Sequence, residues 1–280
     1  MKRIIVAATL GLVLVACGGN GPSALGPGPS GSPIPSASPT PSPSATPSAS
    51  ASPGKPFTFQ IWLTRDRKLF ETKRTEPLVP AVGQLALNDL AAGPNASEVA
   101  DSIGTAIPQV IAPTITVLKG NGEATVRLDV TSSEAADLIG QRLPLAQIVY
   151  TLTQYSTIRS VVFDADPGVR YTRASFADLL PPIVVESPVV GQKVSSPVTV
   201  SGTANVFEAV VSIKILDENG KVLASTFTNA SCGTGCRGDY SASVKYTVGH
   251  EQPGTVEVYE VSAKDGSAIN VQDIPVILTP

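Results

Sequence analysis

The positions of apolar residues divide the chain into three stretches. An apolar run covers 4–16, broken only by Thr9 and Gly11, and residues 18–56 are almost wholly Gly, Ser, Pro, Ala and Thr. The second composition cannot bury enough apolar surface to offset the entropy of ordering it. Beyond it, apolar residues recur with strand and helix periods. We therefore predict that folded structure begins at residue 57.

The first patterned region, 57–170, alternates between strand and helix periods. The predicted elements are a strand at 57–63, a helix at 78–90 stopped by Gly93-Pro94, a hairpin at 115–130 turning at Asn121-Gly122, a helix at 144–155 and a strand at 158–164. This order predicts a compact α+β domain of about 110 residues.

A bridge at 171–182, with a short helical turn near its end, leads into a region of short alternating strands. About seven such strands predict a β-sandwich at 183–280. The alternation changes phase between Val258 and Val261 and again between Val271 and Ile274, which predicts β-bulges. The change of pattern at the bridge predicts two independently folding units.

The first seventeen residues have the organisation of an export signal. Lys2 and Arg3 precede the apolar run, and Leu14-Val-Ala-Cys17 resembles a bacterial lipobox. That resemblance implies cleavage after residue 16 and a lipid on Cys17, so that 17–56 becomes a disordered tether. An ordinary signal peptide or a core segment is the alternative, although thirteen residues are too few to span a bilayer. The expected location is the extracytoplasmic face of the bacterial cell membrane, with the lipid as anchor.

The charge balance argues against nucleic acid as a partner. Without residues 1–16 the chain has 18 basic and 23 acidic residues, and no basic run occurs. Binding to phosphates needs clustered Lys and Arg.

Two cysteines remain once Cys17 is set aside, namely Cys232 and Cys236, separated by Gly-Thr-Gly. In an exported chain such a pair predicts a disulfide. Metal binding is the alternative, but it needs three or four ligands, and His250 is fourteen residues away. We therefore predict no metal site and no cofactor.

Candidate catalytic groups lack a supporting pattern. His250 has no nucleophile motif around it, and its neighbours indicate a solvated turn. The carboxylate pairs Asp164 with Asp166 and Asp217 with Glu218 lie in turn-like contexts, where Asp forms local hydrogen bonds. Strand aromatics Phe59 and Trp62 either pack in the core or form an exposed platform for sugars. We therefore expect a protein that is not an enzyme.

Several phrases in the α+β region closely resemble the GerMN domain of sporulation and spore-germination proteins. They are Pro77-Leu-Val-Pro80, Ala92-Gly93-Pro94, Ile107-Pro108, the 122–129 hairpin and 148–154. Likewise, the sandwich region resembles Gmad2, an immunoglobulin-like module found beside GerMN domains, through Val206-Phe-Glu208, Gly238-Asp-Tyr240, 263–267 and Ile274-Pro-Val276.

These resemblances imply a non-catalytic binding or assembly protein of the cell envelope, linked to sporulation or germination. The partner would be an envelope protein or, alternatively, wall glycan (peptidoglycan) or another extracellular ligand. Loops on rigid sandwiches carry recognition. We therefore expect contact at the 232–236 loop and at the turn Lys264-Asp265-Gly266-Ser267.

Overall fold

The computed structural model describes residues 55–129 and 131–280. The predicted leader, the lipidation site Cys17 and the tether up to residue 54 lie outside the described residues. Within the described part, no helix is long and apolar enough to cross a membrane.

The α+β domain contains six strands and four helices. Their bounds are β1 Pro56–Arg65, β2 Lys68–Pro77, α1 Val82–Ala92, α2 Ala96–Ala100, β3 Pro113–Leu118, β4 Glu123–Leu128, α3 Ser132–Ile139, α4 Arg142–Leu152, β5 Ser160–Phe163 and β6 Asp166–Tyr171. Strands β1 and β2 form an antiparallel hairpin, and the other four form a sheet in the order β3-β4-β5-β6, with β4 and β5 parallel. A 3-10 helix, Arg173–Leu179, follows.

Helix α4 forms the centre of the domain. Every residue from Pro144 to Leu152 is buried, because α4 contacts the β1–β2 hairpin, α1, β5 and the 3-10 helix. The apolar stripe that predicts this helix accounts for only part of its surface. Its other positions include Gln147 and Thr151, both fully buried, and a buried polar group must find a hydrogen-bond partner.

That partner is the edge of β1 that β2 leaves unpaired. Gln147 Nε2 donates to the carbonyl oxygen of Trp62 at 2.8 Å, and the amide of Trp62 donates to Thr151 Oγ1 at 3.1 Å. One turn on, Gln154 accepts from the amide of Gln60 at 2.8 Å and donates to its carbonyl at 2.7 Å. The helix thus takes the place of a neighbouring strand.

The sandwich domain contains eight strands. Their bounds are β7 Ile183–Ser187, β8 Lys193–Val194, β9 Val198–Ala204, β10 Val210–Asp217, β11 Val222–Asn229, β12 Gly238–Val244, β13 Gln252–Val261 and β14 Ala268–Leu278. One sheet has the order β11-β10-β13-β14-β8 and the other β12-β9-β7. The predicted fold class, an α+β domain followed by an all-β sandwich, is confirmed.

The register of β13 and β14 shifts once, between Val258 paired with Gln272 and Glu260 paired with Ile269. The two phase changes in the sequence, one on each strand, therefore correspond to a single irregularity between β13 and β14. At this irregularity Asn270 has a φ of 53°.

Side chains connect the two domains. Arg65, at the end of β1, donates to Asp101 Oδ2 at 2.9 Å within its own domain, and to the carbonyl of Asp273 at 3.0 Å and Gln272 Oε1 at 2.7 Å on β14. Lys73 Nζ donates to the carbonyl of Glu186 on β7 at 2.7 Å. Both domains belong to one compact unit.

Candidate functional site

The structure joins Cys232 and Cys236 in a disulfide, with Cα atoms 5.8 Å apart. The loop packs on residues 205–209, since the amide of Thr234 donates to the carbonyl of Val206 at 3.0 Å. A Cβ at Gly233 would lie 2.4 Å from the amide nitrogen of Ala209. Glycine is therefore required for this close approach, in addition to allowing a short ring.

Residues 205–209 join the disulfide loop to β13. The amide of Glu208 donates to Thr234 Oγ1 at 3.2 Å, and the amide of Phe207 donates to Glu260 Oε1 at 2.8 Å. Glu260 is buried, and its other oxygen accepts from Asn270 Nδ2 at 2.6 Å. One carboxylate thus holds together a loop segment, β13 and the irregular part of β14.

The predicted contact turn follows β13 directly. Asp265 Oδ1 accepts from the amide and the hydroxyl of Ser267, at 3.1 and 2.7 Å, and these bonds lower the pKa of Asp265. Gly266 has a φ of 75°, which favours glycine. Lys264 and the rest of this turn are exposed. Hydrogen bonds inside the turn therefore hold its shape, and its side chains are accessible to a partner.

Exposed apolar side chains accompany these loops. Phe207 is 49% exposed, and Val261, Ile269 and Val271 are also exposed. We call the loop end the combined surface of residues 205–209, 232–236 and 261–271. The structure therefore connects the disulfide loop directly to residues 205–209, and Glu260 connects the same segment to β13, the strand that precedes the 264–267 turn. The only sequence signal of residues 205–209 was the phrase Val206-Phe-Glu208. A rigid loop surface with exposed apolar groups is suited to binding another molecule.

The other candidate residues do not assemble into a site. His250 lies in an exposed bend, and Asp217 Oδ1 accepts from the amides of Asn219 and Lys221, as expected for a turn. Phe59 and Trp62 are buried, so the platform alternative is wrong and the core alternative correct. Among the described residues no group of His, Cys, Asp and Glu could hold a metal ion.

Comparison with protein families finds one match in each domain. Residues 62–167 match the Germane family, described as "Sporulation and spore germination", and residues 182–267 match Gmad2, the "Immunoglobulin-like domain of bacterial spore germination". Together the matches span more than half of the chain. The chain therefore carries a Germane (GerMN) domain followed by a Gmad2 domain, which confirms both resemblances. These families are not known as enzymes.

Two solved structures show similarity. The tandem GerMN domains of the sporulation protein GerM from Bacillus subtilis are 13% identical over 80% of this chain and 61% of that chain, with a TM-score of 0.32. CopC from Methylosinus trichosporium OB3b is 20% identical over 35% of this chain and 92% of that chain, with a TM-score of 0.24. No match was found among curated proteins.

Proposed function

We propose that this chain is an extracytoplasmic bacterial lipoprotein that binds an envelope protein without catalysis, in a process linked to sporulation or germination. The loop end of the sandwich domain is the contact surface. One observation carries this proposal: Glu260 and the disulfide loop fix residues 205–209 so that the apolar ring of Phe207 is presented to solvent. Because the backbone that carries this ring is already held in place, little backbone entropy is lost on binding, and an exposed aromatic side chain there is an efficient anchor.

The binding surface is tested with a photo-crosslinking amino acid at position 207 in cells, with position 227 as the matched control. Phe227 is also an exposed phenylalanine of the sandwich domain, at 69%, but it lies on strand β11 and outside the loop end. We expect a defined envelope protein to be captured from 207 and not from 227. Equal capture from both positions would contradict this surface.

A truncation sharpens the same test. Phe207→Ala should reduce recovery of that partner by about tenfold, as for loss of a contact worth 1–2 kcal/mol, and Phe227→Ala should leave recovery unchanged. If purified peptidoglycan instead retains the protein and Phe207→Ala releases it, the wall-glycan alternative replaces the protein partner.

The anchor is tested separately. Cys17→Ala should move the chain out of the membrane fraction and abolish labelling by a lipid precursor, because the lipobox resemblance makes Cys17 the acylated residue. A variant that stays labelled and membrane-bound would overturn the lipoprotein assignment and leave the loop-end proposal standing.

A further inference from the structure

The two domains meet where β2 lies beside β7. Glu71 and Lys73, two residues apart on β2, share one face of the strand. Lys73 reaches the carbonyl of Glu186 on β7 at 2.7 Å. Glu71 is only 3% exposed, and neither of its carboxyl oxygens has a hydrogen-bond partner. A buried carboxyl without a partner is rare, and here it lies at a contact between domains.

The neighbours of Glu71 offer it little compensation: the side-chain amide of Gln60 has only a minor effect on the carboxyl, and no close hydrogen bond to either oxygen forms. Its cross-strand partner is Trp62, whose Nε1 is also buried without a partner. The guanidinium of Arg173 lies 5.8 Å from the Trp62 ring centre and 5.0 Å from that of Tyr150. Arg173 donates to the carbonyl of Tyr150 and to Thr153 Oγ1, so those donors are directed away from the carboxyl.

The ionisable groups around the junction come from every element packed there. They are Lys73 on β2, Arg173 on the 3-10 helix, Tyr150 on α4, Glu186 on β7, Tyr240 on β12 and Arg237 just before β12. The amide side chain of Gln60 on β1 does not ionise, but as a hydrogen-bond donor it slightly lowers the pKa of Glu71. Tyr240 donates its hydroxyl to the carbonyl of Val184 at 3.1 Å.

Burial raises the pKa of Glu71 to about 8, and the charge of Glu186 raises it as well, while Lys73 and Arg173 offset only part of the effect. Burial also raises the pKa of Tyr240, which keeps its hydroxyl neutral. At neutral pH the closed junction therefore contains an uncharged Glu71 between two domains.

We propose that the contact between β2 and β7 is a pH-sensitive joint, closed while Glu71 is protonated and opened when Glu71 ionises. In the closed state the side-chain amide of Gln60, as a hydrogen-bond donor, lowers the pKa of Glu71 far less than burial raises it. In the open state water would solvate the ionised carboxyl fully. This inference does not depend on the proposed function.

The direction of the response follows from proton binding. In the open state the carboxyl has its ordinary pKa of 4.5, whereas in the closed state the pKa is about 8. Between these values the open state binds fewer protons, so a rise in pH favours opening. The opening equilibrium constant should rise about tenfold per pH unit between roughly pH 5 and 8 and level off above pH 8.

Hydrogen exchange of the full chain between pH 5.5 and 9 tests the joint, with rates corrected for intrinsic exchange. β2 pairs with β1 and β7 with β9 inside their own domains, so only the amides that the domain contact itself shields from water should respond. Protection of these β2 and β7 amides should fall along this curve, while that of β13 stays constant. Glu71→Gln removes the ionisable carboxyl at position 71 and should give a flat profile. Glu76→Gln makes the same change further along β2 and should keep the wild-type profile. A flat wild-type profile, or a Glu71→Gln profile that falls equally, would overturn the proposal.

A second measurement uses only the wild-type protein, so it does not depend on whether Glu71→Gln folds. In wild-type protein labelled with ¹³C at the Glu carboxyl carbons, one glutamate signal should titrate with a midpoint near pH 8, together with the exchange profile. If every glutamate titrates below pH 6, the joint has no such switch and the proposal fails.

Discussion

The two domains differ in how many polar side chains they bury. In the described part of the α+β domain seven polar residues are buried: Glu71, Thr72, Glu98, Glu123, Gln147, Thr151 and Ser160. In the sandwich domain there are two, Ser212 and Glu260. Because each such group needs a partner, the α+β domain depends on specific polar contacts to a far greater extent.

The reason lies in how each domain satisfies its backbone. Strands of the sandwich pair with other strands, so alternation of apolar residues is enough. In the α+β domain a helix lies along the edge of β1, and Gln147 and Thr151 provide the bonds that a strand would provide. Glu260 in the sandwich follows the same rule, since it binds the amide of Phe207, where the chain is outside any strand. Gln147, Thr151 and Glu260 therefore mark places where backbone lacks a strand partner.

The largest effect should come from breaking the buried ion pair of the α+β domain. Glu98 is 1% exposed and accepts from both guanidinium ends of Arg74, at 2.7 and 2.8 Å, and from Thr72. Arg74→Ala leaves the carboxylate buried, so the free energy of unfolding should fall by about 3–5 kcal/mol. Arg127→Ala removes the exposed pair with Asp129 and should leave stability almost unchanged. Urea unfolding measures both.

The pH dependence of that pair checks the mechanism. Burial raises the pKa of Glu98, but bonds from Arg74, Thr72 and the backbone of Asn95 outweigh it, so the pKa is held below its usual value. Glu98 thus stabilises the wild type above its ordinary pKa and loses this contribution as pH falls. The deficit of Arg74→Ala should therefore narrow toward pH 4. A deficit equal to that of Arg127→Ala would contradict the comparison.

The next largest effect is expected from the helix–strand contact. Gln147→Leu keeps the side-chain size but leaves the carbonyl of Trp62 and the amide of Ala106, both bonded to Gln147 at 2.8 Å, without partners. A fully buried unsatisfied group costs about 1–3 kcal/mol, and the amide of Ala106, which is only half-buried, should cost about 1 kcal/mol. We therefore expect a total loss of about 2–4 kcal/mol in thermal or urea unfolding.

Gln84→Leu is the matched control for this contact. Gln84 makes the same kind of contact to the amide of Ile115 and the carbonyl of Pro113, but it is half-buried and water can replace it. Its loss should be below about 1 kcal/mol. If both variants lose the same free energy of unfolding, burial does not determine how much these side-chain amides contribute to stability.

The contrast between apolar strand pairing and buried polar contacts also explains which elements the sequence could predict. Alternation and helix stripes predicted the sandwich strands, α1, α4 and the 115–130 hairpin, because apolar burial leaves a periodic pattern. Residues 64–76 carried no prediction, yet most of them form β2. Both faces of β2 are buried here, and each carries a polar residue, Glu71 on one face and Thr72 on the other. The turn before β2, at Asp66 and Arg67, has positive φ values without glycine.

Two helices had a sequence signal that was missed. Asn95 and Glu98 form a capping box that starts α2, and Thr131 and Glu134 bond to each other at the start of α3. The spacing of an Asn or Thr three residues before a Glu predicts such starts. By contrast, the position of residues 205–209 at the loop end depends on the hydrogen bond between Glu260 and Phe207. These residues lie 53 positions apart, so a local pattern predicts neither this bond nor the burial of Glu260.

A smaller effect should follow reduction of the disulfide. Its five-residue ring, Cys232 to Cys236, restricts the unfolded chain only modestly, so the loss should be about 2 kcal/mol. Urea unfolding with and without reductant measures it, and Cys232→Ser combined with Cys236→Ser should make reductant irrelevant. Collapse of the sandwich domain upon reduction would show that the loop end, rather than the apolar strands, stabilises the fold.

The smallest effect should come from an ion pair on the solvent-facing side of the sandwich. Lys214 Nζ lies 2.7 Å from Glu257 Oε1 and 4.3 Å from the centre of the Tyr259 ring. The hydrogen bond to Glu257 raises the pKa of Lys214. Both partners remain partly exposed, so Lys214→Met should cost below about 1 kcal/mol.

Salt distinguishes this pair from the buried pair of Arg74 and Glu98. In 1 M NaCl the Debye length falls to about 3 Å, so the deficit of Lys214→Met should nearly vanish. The deficit of Arg74→Ala should persist, because the carboxylate of Glu98 is buried away from mobile ions. If salt reduced both stability losses equally, burial would not protect the Arg74–Glu98 pair from screening. The depth of burial would then not explain why one ion pair stabilises its domain more than the other.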